Sequence, residues 1–176
     1  PKKFLSLISS NISQAEDINL YINENQVMVE VGNDVFYSRV IDERFPDFES
    51  VIPKDNNKEL ILNRLDLLSA VKRVSVLSNK TTRQIALNLS KESIKITTED
   101  AEKSSKGFEN IYGSFIGEDL TIGYNAGYLK DILSHLITDE IIVKLNSPIS
   151  AGLFYPKEQL KDSDLTMLLM PIRLNN

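Results

Sequence analysis

The chain has 176 residues, 41% hydrophobic and 26% charged, which is the balance of a folded globular protein and not of a disordered one. The 20 basic and 25 acidic residues leave a net charge of −5, which weighs against a uniformly basic nucleic-acid binder but leaves room for locally basic faces. With no cysteine, disulfide frameworks and thiolate metal sites are excluded; no apolar run reaches membrane-spanning length and no signal peptide leads the sequence, which fits a cytoplasmic protein.

A helix-like segment, KKFLSLIS, begins at once after Pro1, with no lead-in, as expected of a piece of a longer protein. Alternating, β-branched stretches follow: INLYI, VMVEV and VFYSRVI, joined by turn-like NENQ and VGNDV. A short strand, ELIL, then leads into a second helix, DLLSAVKRVSVL. QIALNLS and SIKITTE come next as strands, and then a less patterned stretch through GFENIYGSF. LTIGY precedes a third helix, YLKDILSHLI, after which EIIVKL, AGLFY and TMLLMPIRL read as strands. Pro171 interrupts the last of these, because proline cannot donate to a strand ladder and is confined to edges and strand ends.

The three helices share a register. Phe4, Asp66 and Tyr128 are each 62 residues apart, and at that spacing Leu5, Leu67 and Leu129 coincide, as do Ile8, Ala70 and Ile132. Asn63 and Asn125 also coincide, each placed to cap the helix that follows. A fixed period means one supersecondary unit used repeatedly. Here the unit is strand, helix, then three strands, an α+β fold with two complete copies and one that lacks its first strand.

Helix periodicity assigns Leu67, Ala70, Val71, Val74 and Leu77 to a core stripe on the second helix, and Leu129, Ile132, Leu133 and Leu136 to one on the third. The outward faces lean basic: Lys2 and Lys3, Lys72 and Arg73, and Lys130. Solvation alone accounts for such faces, but repeated copies set side by side would merge them into one basic surface.

Catalytic chemistry is missing. The single histidine, His135, lies on a polar helix face with no fixed partner, and no Walker loop, GxGxxG, GxSxG or HExxH motif occurs. The acidic pairs at Asp42–Glu43, Glu99–Asp100 and Asp162/Asp164 flank turns, where solvated carboxylates are ordinary. The expectation is a binding protein with no catalytic residues, no cofactor and no metal.

Four segments carry a resemblance: RVIDERFPDFESVIP (residues 39–53), LSN (77–79), IGYNAGYLKDIL (122–133) and the terminal MPIRL (170–174). Together and in this order they resemble the β sliding clamps of bacterial DNA polymerase III. The resemblance implies the DNA-clamp fold, in which repeated β-α-β-β-β units put helices on the inner face of a ring and antiparallel sheets outside. It makes residues 1–53 the second half of the clamp's middle domain and 54–176 its complete C-terminal domain. It further implies a processivity factor that, as a full-length head-to-tail homodimer, encircles and slides on duplex DNA and has no catalysis of its own. The partners implied are double-stranded DNA, the polymerase III catalytic subunit, the clamp loader, and other polymerases and repair proteins that dock through short hydrophobic motifs. No membrane is involved, and the chain on its own is expected to be a monomer.

Three sets of residues follow from that resemblance. A peptide pocket would use Pro46, Val51, Asn125, Tyr128, Ile149, Leu168, Met170, Pro171, Ile172 and Arg173. Lys2, Lys3, Lys72, Arg73 and Lys130 would face DNA. Val76, Leu77, Glu99, Asp100 and Glu102 would lie at the ring joint. The alternative is a generic α+β protein-interaction domain without DNA encirclement, its terminal proline segment a structural edge and its basic faces merely soluble.

Overall fold

Asn63 and Asn125 open helices in the way their positions predict. The Asn63 Oδ1 accepts from the backbone N–H groups of Leu65 (2.9 Å) and Asp66 (3.1 Å), and the Asn125 Oδ1 accepts from those of Gly127 (2.8 Å) and Tyr128 (3.4 Å). The computed structural model describes residues 1–12 and 17–174. It divides into two units, Pro1–Asp47 and Phe48–Asn176.

The first unit holds helix α1 (Lys2–Asn11) and a three-stranded antiparallel sheet of β1 (Ile18–Ile22), β2 (Gln26–Val31) and β3 (Asp34–Arg39), in that order. Its core is small: Phe4 and Ile8 of α1 pack with Val29 and Val31 of β2. Every residue of β1 is exposed. An apolar groove of about 730 Å³ runs along α1 and the sheet, lined by Leu5, Ile18, Leu20, Val40 and Phe45 among others.

The second unit contains β4 (Lys58–Asn63), α2 (Arg64–Val74), β5 (Gln84–Leu89), β6 (Ile94–Asp100), β7 (Ser105–Ile111), β8 (Gly113–Ile116), β9 (Leu120–Asn125), α3 (Ala126–His135), β10 (Glu140–Leu145), β11 (Gly152–Pro156) and β12 (Met167–Leu169). The helices α1, α2 and α3 begin at Lys2, Arg64 and Ala126, keeping the 62-residue period. Short 3-10 turns at Glu49–Val51 and Ser75–Leu77 complete it.

The two sheets of this unit are interleaved. One has the order β12-β11-β10-β4-β8 and the other β7-β6-β5-β9, so each copy sends its first strand into the sheet of the other. The exchange is symmetric at the level of single bonds. Glu140 pairs with Asn63 and the Asp139 carbonyl accepts from the Arg64 N–H (2.7 Å); Gln84 pairs with Asn125 and the Arg83 carbonyl accepts from the Ala126 N–H (2.9 Å). One continuous core, including Leu67, Val71, Ile85, Ile122, Leu129 and Val143, draws on both helices and both sheets. Tyr124 of β9 meets Phe154 of β11 edge to face, ring centroids 6.1 Å apart, and so ties one sheet to the other. Burial raises the Tyr124 phenol above its ordinary pKa and keeps it neutral.

Two expectations are corrected. Periodicity assigns Leu77 to the α2 core stripe, but the α-helix ends at Val74 and the tighter 3-10 turn rotates Leu77 to the surface, 40% exposed; Leu68 is buried on the helix instead. The unpatterned stretch after β6 is not one strand but two. Exposed Tyr112 forms a corner from which β7 stays in one sheet and β8 crosses to pair with β4 in the other.

Candidate functional site

The start of α3 is bordered on two sides because β9, which leads into it, has a neighbour on each edge. On one edge β5 pairs along the full strand, with Ala86 opposite Gly123. On the other the terminal segment returns: the Ile172 N–H donates to the Gly123 carbonyl at 2.9 Å in an isolated antiparallel bridge. The close approach requires glycine. A Cβ on Gly123 would lie 2.6 Å from Leu174 Cδ2 and 2.7 Å from the Ile172 carbonyl oxygen. Pro171 ends the β12 ladder two residues after Leu169, and the chain then crosses to β9.

Across β12 lies β11, where Gly152 pairs with Leu169, and the loop before β11 carries Ile149. That loop is held in place by polar contacts from residues 55–58. The Asn56 Nδ2 donates to the Lys144 carbonyl (2.9 Å) and the Ala151 carbonyl (3.0 Å), and the Lys58 Nζ donates to the Asn146 carbonyl (2.9 Å). Asn146 in turn donates to the Asp55 carboxylate at 2.9 Å. Inside the loop, the Ser147 and Ser150 hydroxyls are 2.7 Å apart.

Of the residues proposed for peptide binding, Asn125, Tyr128, Ile149, Leu168, Met170, Pro171, Ile172 and Arg173 therefore lie on three neighbouring features of the second unit: the α3 start, the β10–β11 loop and the terminal segment. Tyr128, Ile149 and Met170 are each at least 60% exposed, so these large apolar groups are not serving as core. Leu168, Pro171 and Ile172 are half-buried. Val51 is exposed on its 3-10 turn in the second unit, whereas Pro46 belongs to the first unit and borders its groove.

The basic candidates behave differently from one another. Lys2 and Lys3 are exposed on α1, Lys72 is exposed on α2, and Lys130 is half-buried on α3. Arg73 is not a free charge. Its guanidinium holds the Glu109 carboxylate of β7 with two bonds, Nε to Oε2 at 3.0 Å and Nη2 to Oε1 at 2.5 Å. That pairing raises the Arg73 pKa and lowers that of Glu109, the hydrogen bond being the main cause for both.

The joint candidates gather around the Ser75–Leu77 turn. Val76 is 80% exposed. The Ser105 hydroxyl donates to the Leu77 carbonyl at 3.0 Å, and Leu77 Cδ1 would touch any Cβ added at Gly107. Glu99 and Glu102 are exposed, and Glu99 accepts a bond from the Lys106 Nζ at 3.1 Å. Asp100 differs from the expectation of a surface acid. It is 2% exposed, and its Oδ1 accepts from the Glu102 N–H (3.2 Å) and the Asn79 Nδ2 (3.4 Å), so it braces the hairpin from within.

One residue at the α3 start carried no signal in the sequence. Arg83 stands in a polar turn, NKTTRQ, and reads there as ordinary solvated charge; only its backbone conformation and neighbours set it apart.

Interleaved repeats with an exposed apolar rim at one helix start define a repeat-built α+β module. Residues 49–173 match the family described as DNA polymerase III beta subunit, C-terminal domain, and the chain belongs to that family. It is similar to the beta sliding clamp of Haemophilus influenzae, 32% identical over 173 residues, 98% of this chain and 46% of that protein. Among solved structures, the sliding clamp of Bartonella birtlesii superposes with a TM-score of 0.89 at 30% identity, covering 99% of this chain and 46% of the other. The clamp of Bacillus subtilis gives 0.90 at 29% identity, with 99% and 46% covered. The chain thus spans about half the length of the relatives it matches.

Proposed function

We propose that the chain is part of a processivity clamp that, in its full-length form, closes as a head-to-tail homodimeric ring around duplex DNA in the cytoplasm and docks replication and repair proteins. It is a non-catalytic subunit. Residues 54–176 form the complete C-terminal domain, and residues 1–53 the second half of the middle domain. What supports the half-domain reading is the edge of β1, which among the described residues pairs with no further strand, whereas its counterparts β5 and β10 are each bordered by a first strand from another copy.

The observation that carries the docking function is the return of Ile172 onto Gly123, which brings the segment carrying exposed Met170 alongside β9, the strand that leads into the helix of Tyr128. A rim of a rigid aromatic, an adaptable methionine and aliphatic side chains suits short hydrophobic motifs with glutamine, leucine and phenylalanine anchors. Polymerase III catalytic subunit, clamp loader and other polymerases would share it in turn. Titrating such a peptide into the chain is expected to show weak binding, with Tyr128→Ala and Met170→Ala each reducing affinity by roughly tenfold. Unaltered affinity in both variants would remove the site assignment.

Attraction to DNA needs only phosphates, and tight contacts would stop a ring from sliding. Among the second-unit candidates, Lys72 and Lys130 make no ion pair among the described residues, while Arg73 is engaged by Glu109. Duplex binding by the chain is expected to be weaker than about 1 μM and to fall steeply with salt. Lys72→Gln with Lys130→Gln should flatten the plot of log affinity against log salt by about two units of slope. Nanomolar, salt-resistant binding would contradict the sliding reading.

A further inference from the structure

We propose that Arg83 sets the charge specificity of the docking rim, selecting peptides that carry an acidic side chain flanking their apolar anchors; the inference rests on the peptide-docking reading above. Arg83 has φ of 50°, a left-handed conformation uncommon outside glycine and asparagine. Such a backbone persists only where its surroundings over-determine it. Here they do. The Asn79 Oδ1 accepts from the N–H groups of Thr81 (2.9 Å) and Thr82 (3.2 Å), and the Asn79 carbonyl accepts from the Arg83 N–H (2.8 Å). From the other side, the Ala126 N–H donates to the Arg83 carbonyl (2.9 Å) and the Asn125 Nδ2 to the Thr82 carbonyl (3.0 Å).

The result is a guanidinium laid over the first turn of α3, its Nη1 3.6 Å from where a Cβ on Gly127 would sit. Helix stability does not ask for it there, since a cation opposes the positive end of the helix dipole. The repeat offers a direct comparison: the position equivalent to Arg83 at the start of α2 is Asp139, whose charge suits a helix start. The first turn of α3 has no acidic residue, and Arg83 makes no ion pair among the described residues. A solvated arginine would account for the charge but not for its placement over the α3 start, and local rules tend to be broken at functional positions.

Position then supplies the ligand chemistry. Arg83 approaches the α3 start from the β5 edge of β9, and Ile172–Arg173 approaches from the opposite edge. The exposed Tyr128 lies next to the residue that Arg83 covers. An apolar peptide seated on Tyr128, Met170 and Ile172 therefore passes an uncompensated guanidinium at its flank, and a carboxylate at that point is the complementary group.

The test compares two peptides with the same glutamine, leucine and phenylalanine anchors, one flanked by glutamate and one by glutamine, by fluorescence anisotropy with the whole chain. At low ionic strength the glutamate peptide should bind about three- to fivefold more tightly, and the gap should narrow as salt is added. In Arg83→Asn, which tolerates the left-handed backbone but carries no charge, the affinity ratio should fall to about one; Arg83→Lys should keep part of it. A ratio that survives in Arg83→Asn, or that is lost in Arg173→Gln but not in Arg83→Asn, overturns the assignment. Tyr128→Ala should weaken both peptides alike, and if it weakens neither, the docking reading itself fails rather than the charge preference.

Discussion

With valine in place of Gly123, the chain is expected to bind docking peptides at least tenfold more weakly while retaining its helices and sheets. The added side chain would occupy the space of the Leu174 side chain and the Ile172 carbonyl, which lie 2.6 and 2.7 Å from the first atom introduced. One of those is backbone, so a rotamer change cannot relieve the overlap, and the terminal segment must leave. With it goes the bond from the Ile172 N–H to the Gly123 carbonyl, and with that the position of Met170 and Arg173 relative to Tyr128. Overpacking of this kind costs about 1–3 kcal/mol, a cost localised at the terminal segment because β9 keeps its pairing with β5 on the other edge. Peptide titration gives the affinity, and amide exchange at Ile172 reports the release. Wild-type affinity together with a protected Ile172 amide would show that the segment is not held in this way.

The largest effect on stability is expected at Leu129. Its side chain has no exposed surface and sits in the core shared by both helices and both sheets, so Leu129→Ala should cost about 2–5 kcal/mol. For a protein of this size each kcal/mol lowers Tm by roughly 2–4 °C. Leu7 is the contrasting case. It is on α1, 49% exposed, and its replacement by alanine should change stability by less than about 0.5 kcal/mol. Calorimetry on the two variants separates the outcomes, and comparable Tm values would mean that the core is not shared as described.

Much of this architecture was legible from periodicity. Two asparagines at matched positions marked the starts of α2 and α3, since a side chain that caps a helix leaves a trace in the sequence. Alternation located most strands of the second unit, because strands such as β5 and β6 bury one face. Where the physics was not local, the pattern was silent. Nothing in GFENIYGSF distinguishes one strand from two, because the break depends on which sheet each half joins. Leu77 fitted an apolar stripe, but a change from α to 3-10 winding three residues earlier turned it outward. Asp100 resembled its exposed neighbour Glu99, yet alternation along β6 directs it inward, where Asn79 meets it. In the candidate site, the proline segment stood out because proline is rare in a ladder. Arg83 did not, since its conformation is imposed by a turn and a helix remote in the sequence.

The mutual loan of first strands has a consequence for how the molecule is made. When a ribosome has released β4, α2, β5, β6 and β7, the strand that should border β5 is still to come, and β4 has neither of its eventual neighbours, β8 and β10. Pairing of β4 with β10 joins Asn63 to Glu140, so the sheet cannot close until the second repeat has emerged. At synthesis rates of about 5–20 residues per second, that leaves open strand edges exposed for several seconds. Long-range pairings of this kind slow folding, and they make the two repeats gain and lose their structure together.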